Sequence, residues 1–273
     1  MKEIAIFGVP RSGTSWLAQI FNSHPDILLR FQPLFSYTHK GRLTSKSSAT
    51  EIHAFYEEIQ NTMDEFASMR TGYFKNFPVF KKSPQKTHIV FKETRYLHVI
   101  ENMLKKCADI RIIGIVRNPF SVLASWIQAP KEFKAEWNIE KEWQKATKKN
   151  KGREEEFFGF NRWKEVACNF LQYEQEYSRS FFLLRYETLR KFPLETTREL
   201  FRFSGLNIHI QTLDFLNKST ARHDLSDPYS VFRGKANDDA WQQILPESIS
   251  RQIISELSGT PMDVFLSPAQ ATL

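Results

Sequence analysis

Residues 8–15 constrain this chain more than any other part of its sequence. They read Gly-Val-Pro-Arg-Ser-Gly-Thr-Ser, so that two glycines flank a four-residue interval and a hydroxyl side chain closes the run. The apolar residues 4–7 before them are typical of a buried parallel strand, and apolar side chains recur at helical spacing after them. A glycine-rich loop between a strand and a helix directs backbone N–H groups toward an anion at the helix N-terminus. The segment therefore predicts a loop that binds phosphate or sulfate.

The loop differs from the nucleotide-binding P-loop pattern at one position. Thr14 stands where that pattern requires the lysine that reaches the β- and γ-phosphates of a nucleoside triphosphate. Arg11 is the cation that the loop offers instead, and a guanidinium can hold a phosphate or sulfate through two parallel hydrogen bonds without a metal. An ATP-dependent P-loop kinase remains an alternative, but Thr14 argues against it.

A second segment with a basic residue lies where another predicted strand ends. Residues 110–116 form an apolar run that leads directly into Arg117, and Pro119 suits the first turn of a following helix. Arg117 then lies at the carboxyl end of a strand, where open α/β sheets bind their ligands. Ser125 follows eight residues later on the predicted helix.

These two segments resemble the donor-binding motifs of the sulfotransferase family, whose donor is 3′-phosphoadenosine 5′-phosphosulfate (PAPS). Residues 10–17 match the core of the family's 5′-phosphosulfate loop, with the arginine typical of carbohydrate and tyrosylprotein enzymes. Arg117 and Ser125 have the spacing of the arginine and serine that bind the 3′-phosphate in that family. The resemblance implies that the donor contacts these loop residues: Arg11, Ser12, Gly13, Thr14, Ser15 and Trp16.

Two further segments resemble the family less closely. Residues 181–189 read as a strand followed by Tyr-Glu, and the resemblance implies that Tyr186 contacts the adenosine. Residues 232–235 loosely match the loop that closes over the 3′-phosphate, which adds Arg233 and Lys235 as donor-binding candidates. An ordinary polar surface loop is the alternative for this last segment.

The residues expected to act on the acceptor hydroxyl depart from the family pattern. Lys92 matches a family lysine and would stabilise charge on the transferring group together with Arg11. The histidine base of cytosolic members falls at Thr94, and the glutamate base of carbohydrate enzymes falls at Gln32. Glu93 is the first candidate for the base, although in a strand its side chain faces opposite to Lys92. The second candidates are His39 and His98.

The order of apolar segments predicts an α/β fold. Strands near residues 3–9, 88–92, 110–116 and 181–184 alternate with helical segments near 14–23, 49–68, 96–106, 119–128, 157–178 and 194–204. This alternation predicts a central, mainly parallel sheet with helices on both faces, and thus the three-layer α/β/α architecture of P-loop NTPase-like proteins. No Pro/Gly/Ser-rich linker interrupts the chain, so residues 1–273 are predicted to form a single domain.

The composition and charge of the chain limit the classes of ligand and partner that are expected. The net charge of +7 suits a donor with several negative charges, while the scattered basic residues match no nucleic-acid module, so no nucleic-acid partner is expected. Two cysteines and seven scattered histidines give no metal-ligand cluster, so no metal is expected. The first strand follows Met1 and Lys2 directly and no long apolar segment occurs, so no transmembrane segment and a cytoplasmic location are expected. The oligomeric state stays open.

Together, the motifs predict an enzyme that transfers a sulfuryl group from PAPS to a hydroxyl acceptor by in-line displacement. The arginine in the loop and the position of Gln32 favour a saccharide or glycolipid over a small metabolite as the acceptor. A non-catalytic nucleotide-binding module is the other alternative, because Gln32 and Thr94 replace both familiar bases.

Overall fold

Five strands form one parallel sheet in the computed structural model, which describes residues 1–221, 229–232 and 238–266. The strands are β1 (Lys2–Phe7), β2 (Ile27–Phe31), β3 (His88–Glu93), β4 (Arg111–Val116) and β5 (Phe181–Arg185). Their order across the sheet is β2-β3-β1-β4-β5, and every neighbouring pair is parallel. Parallel neighbours require crossover connections, which in this chain contain the helices.

Ten helices within the described residues accompany the sheet. They are α1 (Thr14–Asn22), α2 (Ala49–Gln60), α3 (Ile100–Lys106), α4 (Pro119–Ile127), α5 (Ile139–Glu142), α6 (Phe160–Glu176), α7 (Tyr186–Lys191), α8 (Pro193–Ser204), α9 (Ile210–Ala221) and α10 (Glu247–Leu257). Short 3₁₀ turns lie between them, including one at Pro33–Phe35 directly after β2.

Side chains that alternate along the strands divide the core into two layers. Ile4 and Ile6 of β1 pack with α1, α7, α8 and α9, whereas Ala5 and Phe7 pack with α2, α3, α4, α6 and α10. Both faces of the sheet are therefore covered, as a parallel sheet requires. This arrangement confirms the predicted three-layer α/β/α fold with a parallel sheet. The single-domain assignment of residues 1–273 stays a prediction.

Among the differences between the predicted and the observed elements, two lie next to each other in the fold. Strand β2 was not predicted, because it is short and carries Arg30 in the middle of its apolar run. The helix predicted over 49–68 ends at Gln60, so the prediction was wrong beyond that residue. One contact accounts for both differences: the Arg30 guanidinium donates to the carbonyl oxygens of Ile59 and Gln60 at 2.6 and 2.7 Å. It thereby satisfies two carbonyls that a helix end leaves unpaired.

The strand order places a switch point between β1 and β4. The chain leaves β1 toward β3 and β2 on one side of the sheet, and it leaves β4 toward β5 on the other side. Open α/β sheets bind ligands in the crevice that such a reversal leaves at the carboxyl ends of the strands. The loop at residues 8–13 follows β1, and Arg117 follows β4. The fold therefore brings the two predicted anion-binding segments to the same crevice.

Candidate functional site

A pocket of about 440 Å³ occupies this crevice. Helix α1 contributes its N-terminus, helix α4 contributes one face, and strand β3 contributes its carboxyl end. The described lining residues with polar or aromatic side chains are Arg11, Thr14, Ser15, Trp16, Phe31, Gln32, Tyr73, Lys92, Thr94, Arg117, Ser121, Ser125, Gln128, Glu132, Tyr186, Tyr229, Ser230 and Trp241. This volume is in the range of small-molecule and cofactor sites.

The last residue of the loop before α1, Gly13, has a backbone conformation that favours glycine. Gly13 has a φ of +89°, and a Cβ atom placed there would lie 2.4 Å from Cδ2 of Tyr186. Glycine is therefore required both by the left-handed backbone and by the close ring. Arg11 also has a positive φ, of 74°. Helix α1 begins at Thr14 without a side-chain cap, so its first-turn N–H groups lack intrahelical acceptors, and Thr14, Ser15 and Trp16 of this turn line the pocket.

Arg11 joins the two predicted motifs directly. Its Nε donates to Oγ of Ser125 on α4 at 3.0 Å. Its Nη1 lies 4.0 Å from Oε2 of Glu132, and its Cζ lies 5.2 Å from the centre of the Tyr229 ring. The guanidinium is thereby oriented across the pocket between the loop after β1 and the helix after β4.

Arg117 lies directly after β4 and also contacts the loop before α1. Its Nη1 donates to the carbonyl oxygen of Arg11 at 3.3 Å, and its Cζ lies 4.6 Å from the centre of the Tyr186 ring. Asn118 then caps α4, because its side chain accepts from the backbone N–H groups of Phe120 and Ser121. Arg117 Nε is buried and has no hydrogen-bond partner in the described part of the chain. A buried donor of this kind fits an anionic ligand.

Lys92 is the most deeply buried cation at the pocket, with 2% of its surface exposed. Its Nζ lies 4.2 Å from the centre of the Phe31 ring. Burial is the main reason that the pKa of Lys92 is lowered to about 7; the carboxylates of Glu93 and Glu132 oppose this change, and the charge of Arg11 adds to it. An anion bound in the pocket would favour the protonated form.

Glu93 faces away from the pocket, on the side of the sheet opposite to Lys92. The residue is fully buried, and its Oε1 accepts a hydrogen bond from the backbone N–H of Leu34 at 2.7 Å. Burial raises the pKa of Glu93 to about 8. The alternation of side chains along β3 explains this position, because no turn interrupts the strand before Glu93. Its predicted role as the base is not tested by this placement, but the geometry gives it a structural role under the Pro33–Phe35 turn.

Gln32 and Thr94, which occupy the positions of the family's two usual bases, are hydrogen-bonded to each other. Gln32 Nε2 donates to Oγ1 of Thr94 at 2.5 Å, and both side chains line the pocket. Neither group accepts a proton near neutral pH. The two histidine candidates lie elsewhere, because His39 hydrogen-bonds Thr62 at 2.7 Å and His98 lies beside Glu154. The structure thus does not bring either histidine to the pocket.

The remaining predicted donor-site residues surround the loop. Trp16 Nε1 donates to Oγ of Ser219 at 3.1 Å, and the Trp16 ring packs edge-on against Tyr186 at 6.1 Å between ring centres. Ser12 is buried outside the pocket lining, and its Oγ has no hydrogen-bond partner among the described residues. Arg233 and Lys235 lie outside the described residues.

Sequence reasoning missed several lining residues, of which Glu132 matters most. Glu132 lies in the loop after α4, where no motif marks it. Its backbone is fixed because its N–H donates to Ala129 O at 2.8 Å and its carbonyl accepts from Trp126 Nε1 at 3.2 Å. Gln128 is another lining residue that no sequence motif indicated. Loop residues that reach a site through tertiary packing leave no periodic signal in the sequence.

The charges of the pocket fit a polyanionic ligand. Its described lining holds three basic side chains, Arg11, Lys92 and Arg117, and one carboxylate, Glu132. No cluster of three or more metal-ligating side chains occurs among the described residues. Within the same residues, no helix combines the length and apolar character needed to cross a bilayer.

Comparison with known proteins shows what this chain is similar to. Human carbohydrate sulfotransferase 3 is 28% identical over 167 residues, which cover 58% of this chain and 33% of the relative. The match thus spans about a third of the length of that relative. The solved structure of mouse sulfotransferase SULT7A1 complexed with PAP is 15% identical, covers 94% of this chain and 82% of its own, and has a TM-score of 0.54. The sulfotransferase from Alicyclobacillus acidocaldarius is 15% identical, covers 99% and 97% of the two chains, and has a TM-score of 0.52.

The fold and the pocket define a three-layer α/β protein with a P-loop-like anion cradle at its sheet switch point. At such low identity the solved structures establish the fold alone. The family assignment comes from sequence: residues 3–209, more than half of the chain, match the model of the sulfotransferase family. This chain belongs to the sulfotransferase family.

Proposed function

We propose that this protein transfers a sulfuryl group from PAPS to a hydroxyl acceptor. The observation that carries the proposal is the hydrogen bond from Arg11 to Ser125, which joins the loop after β1 to the helix after β4. A donor with charged groups at both its 5′ and 3′ positions needs two anion sites in one crevice. The loop supplies one, and the β4–α4 junction supplies the other.

Five of the predicted residues and the N-terminus of α1 have proposed tasks. The first-turn N–H groups of α1 and the guanidinium of Arg11 hold the 5′-phosphosulfate, since helix N-termini and guanidinium groups both bind such anions. Lys92 stabilises charge on the leaving phosphate oxygen. Arg117 and Ser125 hold the 3′-phosphate, and Tyr186 packs against the adenosine. When bound, PAPS supplies the activated sulfuryl group.

The acceptor is proposed to be a saccharide or a glycolipid. The related proteins named above include a carbohydrate sulfotransferase, and that name is the support for a sugar hydroxyl. The aromatic side chains of Phe31 and Tyr73 offer flat apolar surface beside Lys92, which suits the faces of a sugar ring. The cytoplasmic location expected from the sequence stays a prediction.

Calorimetric titration tests the donor. We expect 3′-phosphoadenosine 5′-phosphate (PAP), the product nucleotide, to bind with a Kd in the micromolar range, about −8 kcal/mol. We expect ATP with Mg²⁺ not to bind, because Thr14 replaces the lysine that reaches the β- and γ-phosphates. Tight ATP-Mg²⁺ binding without PAP binding would refute the proposal in favour of a kinase.

Arg117→Ala tests the site of the 3′-phosphate. A charge-assisted hydrogen bond contributes about 1.5–3 kcal/mol, so the variant is expected to bind PAP roughly 10- to 100-fold more weakly. Its affinity for AMP, which lacks the 3′-phosphate, should change little. Arg111→Ala is the matched control, because Arg111 begins the same strand at its opposite end. Equal loss of PAP and AMP affinity in Arg117→Ala would contradict this assignment.

A further inference from the structure

The pocket contains a carboxylate that the donor motifs do not use. Glu132 is the acidic residue among the described lining residues, and its side chain is 23% exposed. Its Oε2 atom is buried and has no hydrogen-bond partner in the described part of the chain. A buried carboxylate oxygen without a donor is costly, so a group that donates a proton to it would be stabilised. The hydroxyl of an acceptor is such a group.

Glu132 lies beside Arg11, one of the two cations that the proposed reaction uses, and it lines the same pocket as Lys92, the other. Its Oε2 is 4.0 Å from Nη1 of Arg11, and its charge acts on Lys92. The carboxylate therefore lies near the place where the sulfuryl group and its leaving phosphate would be held. The backbone contacts to Ala129 and Trp126 fix its loop.

The other candidates are less suited to accept a proton there. Glu93 is buried on the opposite face of the sheet, and Gln32 and Thr94 are neutral and bonded to each other. Lys92 also lines the pocket, but in the proposed reaction its proton stabilises the leaving group, so it is needed in its charged form.

We propose that Glu132 is the general base that accepts the proton of the acceptor hydroxyl, an inference that rests on the proposed function. As the O–H proton moves to the Glu132 carboxylate, an acceptor oxygen lone pair forms the new O–S bond. The S–O bond to the 5′-phosphate breaks, and its electron pair stays on the phosphate oxygen beside Lys92 and Arg11. The products are a sulfate ester, PAP and protonated Glu132, which then loses its proton to solvent.

Glu132→Gln tests the proposal by separating turnover from donor binding. General-base catalysis contributes roughly 10²- to 10⁴-fold, so single-turnover sulfuryl transfer from ³⁵S-labelled PAPS should fall by that factor. The assay measures transfer to defined neutral and uronic-acid-containing oligosaccharides and, in parallel, to water. PAP affinity, measured by calorimetry, should be unchanged or rise by about threefold to tenfold, because a negative charge near Arg11 is removed. Glu136→Gln is the control, since the Glu136 side chain is 69% exposed in the same loop.

Chemical rescue distinguishes a base from a structural carboxylate. Glu132→Ala should lose transfer as Glu132→Gln does, and added formate should restore it by at least about tenfold, because formate can occupy the vacated space and accept the proton. Transfer by Glu132→Gln at the wild-type rate, with PAP still bound, would overturn the base assignment alone. Failure of the wild-type protein to bind PAP would instead refute the proposed function, and this inference with it.

Discussion

Replacing Lys92 with methionine should stabilise the fold while removing sulfuryl transfer. Methionine has a similar length and can keep the contact with the Phe31 ring, but it carries no charge to bury. Burial lowers the pKa of Lys92 from its ordinary value of 10.5 to about 7 in the folded chain. The folded state therefore holds the Lys92 proton more weakly than the unfolded state does.

The size of the effect follows from this difference. At about 1.4 kcal/mol per pKa unit, the change from 10.5 to about 7 corresponds to roughly 5 kcal/mol of lost stability below pH 7. Between pH 7 and 10.5 the unfolded chain binds more protons than the folded one, so the loss shrinks as pH rises and disappears above 10.5. Allowing for a lost cation–π contact of about 1–2 kcal/mol, Lys92→Met should be about 2–4 kcal/mol more stable than wild type at pH 7.

Urea unfolding at several pH values between 6 and 11 measures the free energy of unfolding of Lys92→Met and of the wild type. The difference in the free energy of unfolding between variant and wild type should be largest near pH 6–7 and fall toward zero near pH 10.5. Lys82 also has a pKa lowered by burial to about 7, but it is present in both proteins, so it cancels from the difference. Lys75→Met, at an exposed position, is the control. A variant less stable than wild type at pH 7, or a difference independent of pH, would refute the reasoning.

Two further substitutions test other parts of the site. Gly13→Ala should destabilise the fold by about 2–4 kcal/mol in urea unfolding, because alanine meets both a left-handed φ of +89° and the Tyr186 ring. Gly41→Ala has a similar φ with open space around it, so an equal loss there would exclude the ring contact as a cause. Glu93→Gln should keep sulfuryl transfer within about threefold, since the amide oxygen can still accept from Leu34 N–H. Because the pKa of Glu93 is raised from 4.5 to about 8, its contribution to stability is present below pH 4.5 and is lost as pH rises through 8. This pH dependence of the free energy of unfolding should vanish in Glu93→Gln. A hundredfold loss of sulfuryl transfer in the same variant would instead restore Glu93 as the base.

The sequence predicted the parts of the site that local patterns encode. The loop around Gly13 combines a strand, a glycine turn and a helix, and Arg117 follows a strand end; both are local signals, and the structure places both in the pocket. The opposite orientation of Lys92 and Glu93 was also foreseeable, because alternation along a strand is a local rule. Strand β2 was missed because the partners of Arg30 lie about thirty residues away along the chain. Glu132 was missed for the same kind of reason, since only tertiary packing brings its loop to Arg11.

The charges that line the pocket lower the stability of the folded chain and favour the binding of an anionic ligand. Three cations and one carboxylate line the crevice, and burial makes Lys92 hold its proton weakly. An anionic donor would reverse this, because a negative charge within a few ångströms favours the protonated lysine. Glu132 partly balances Arg11 before the donor binds, and the donor's own charge would take over that task. The carboxylate would then be available to the acceptor hydroxyl, so the same arrangement that selects the donor also prepares the base.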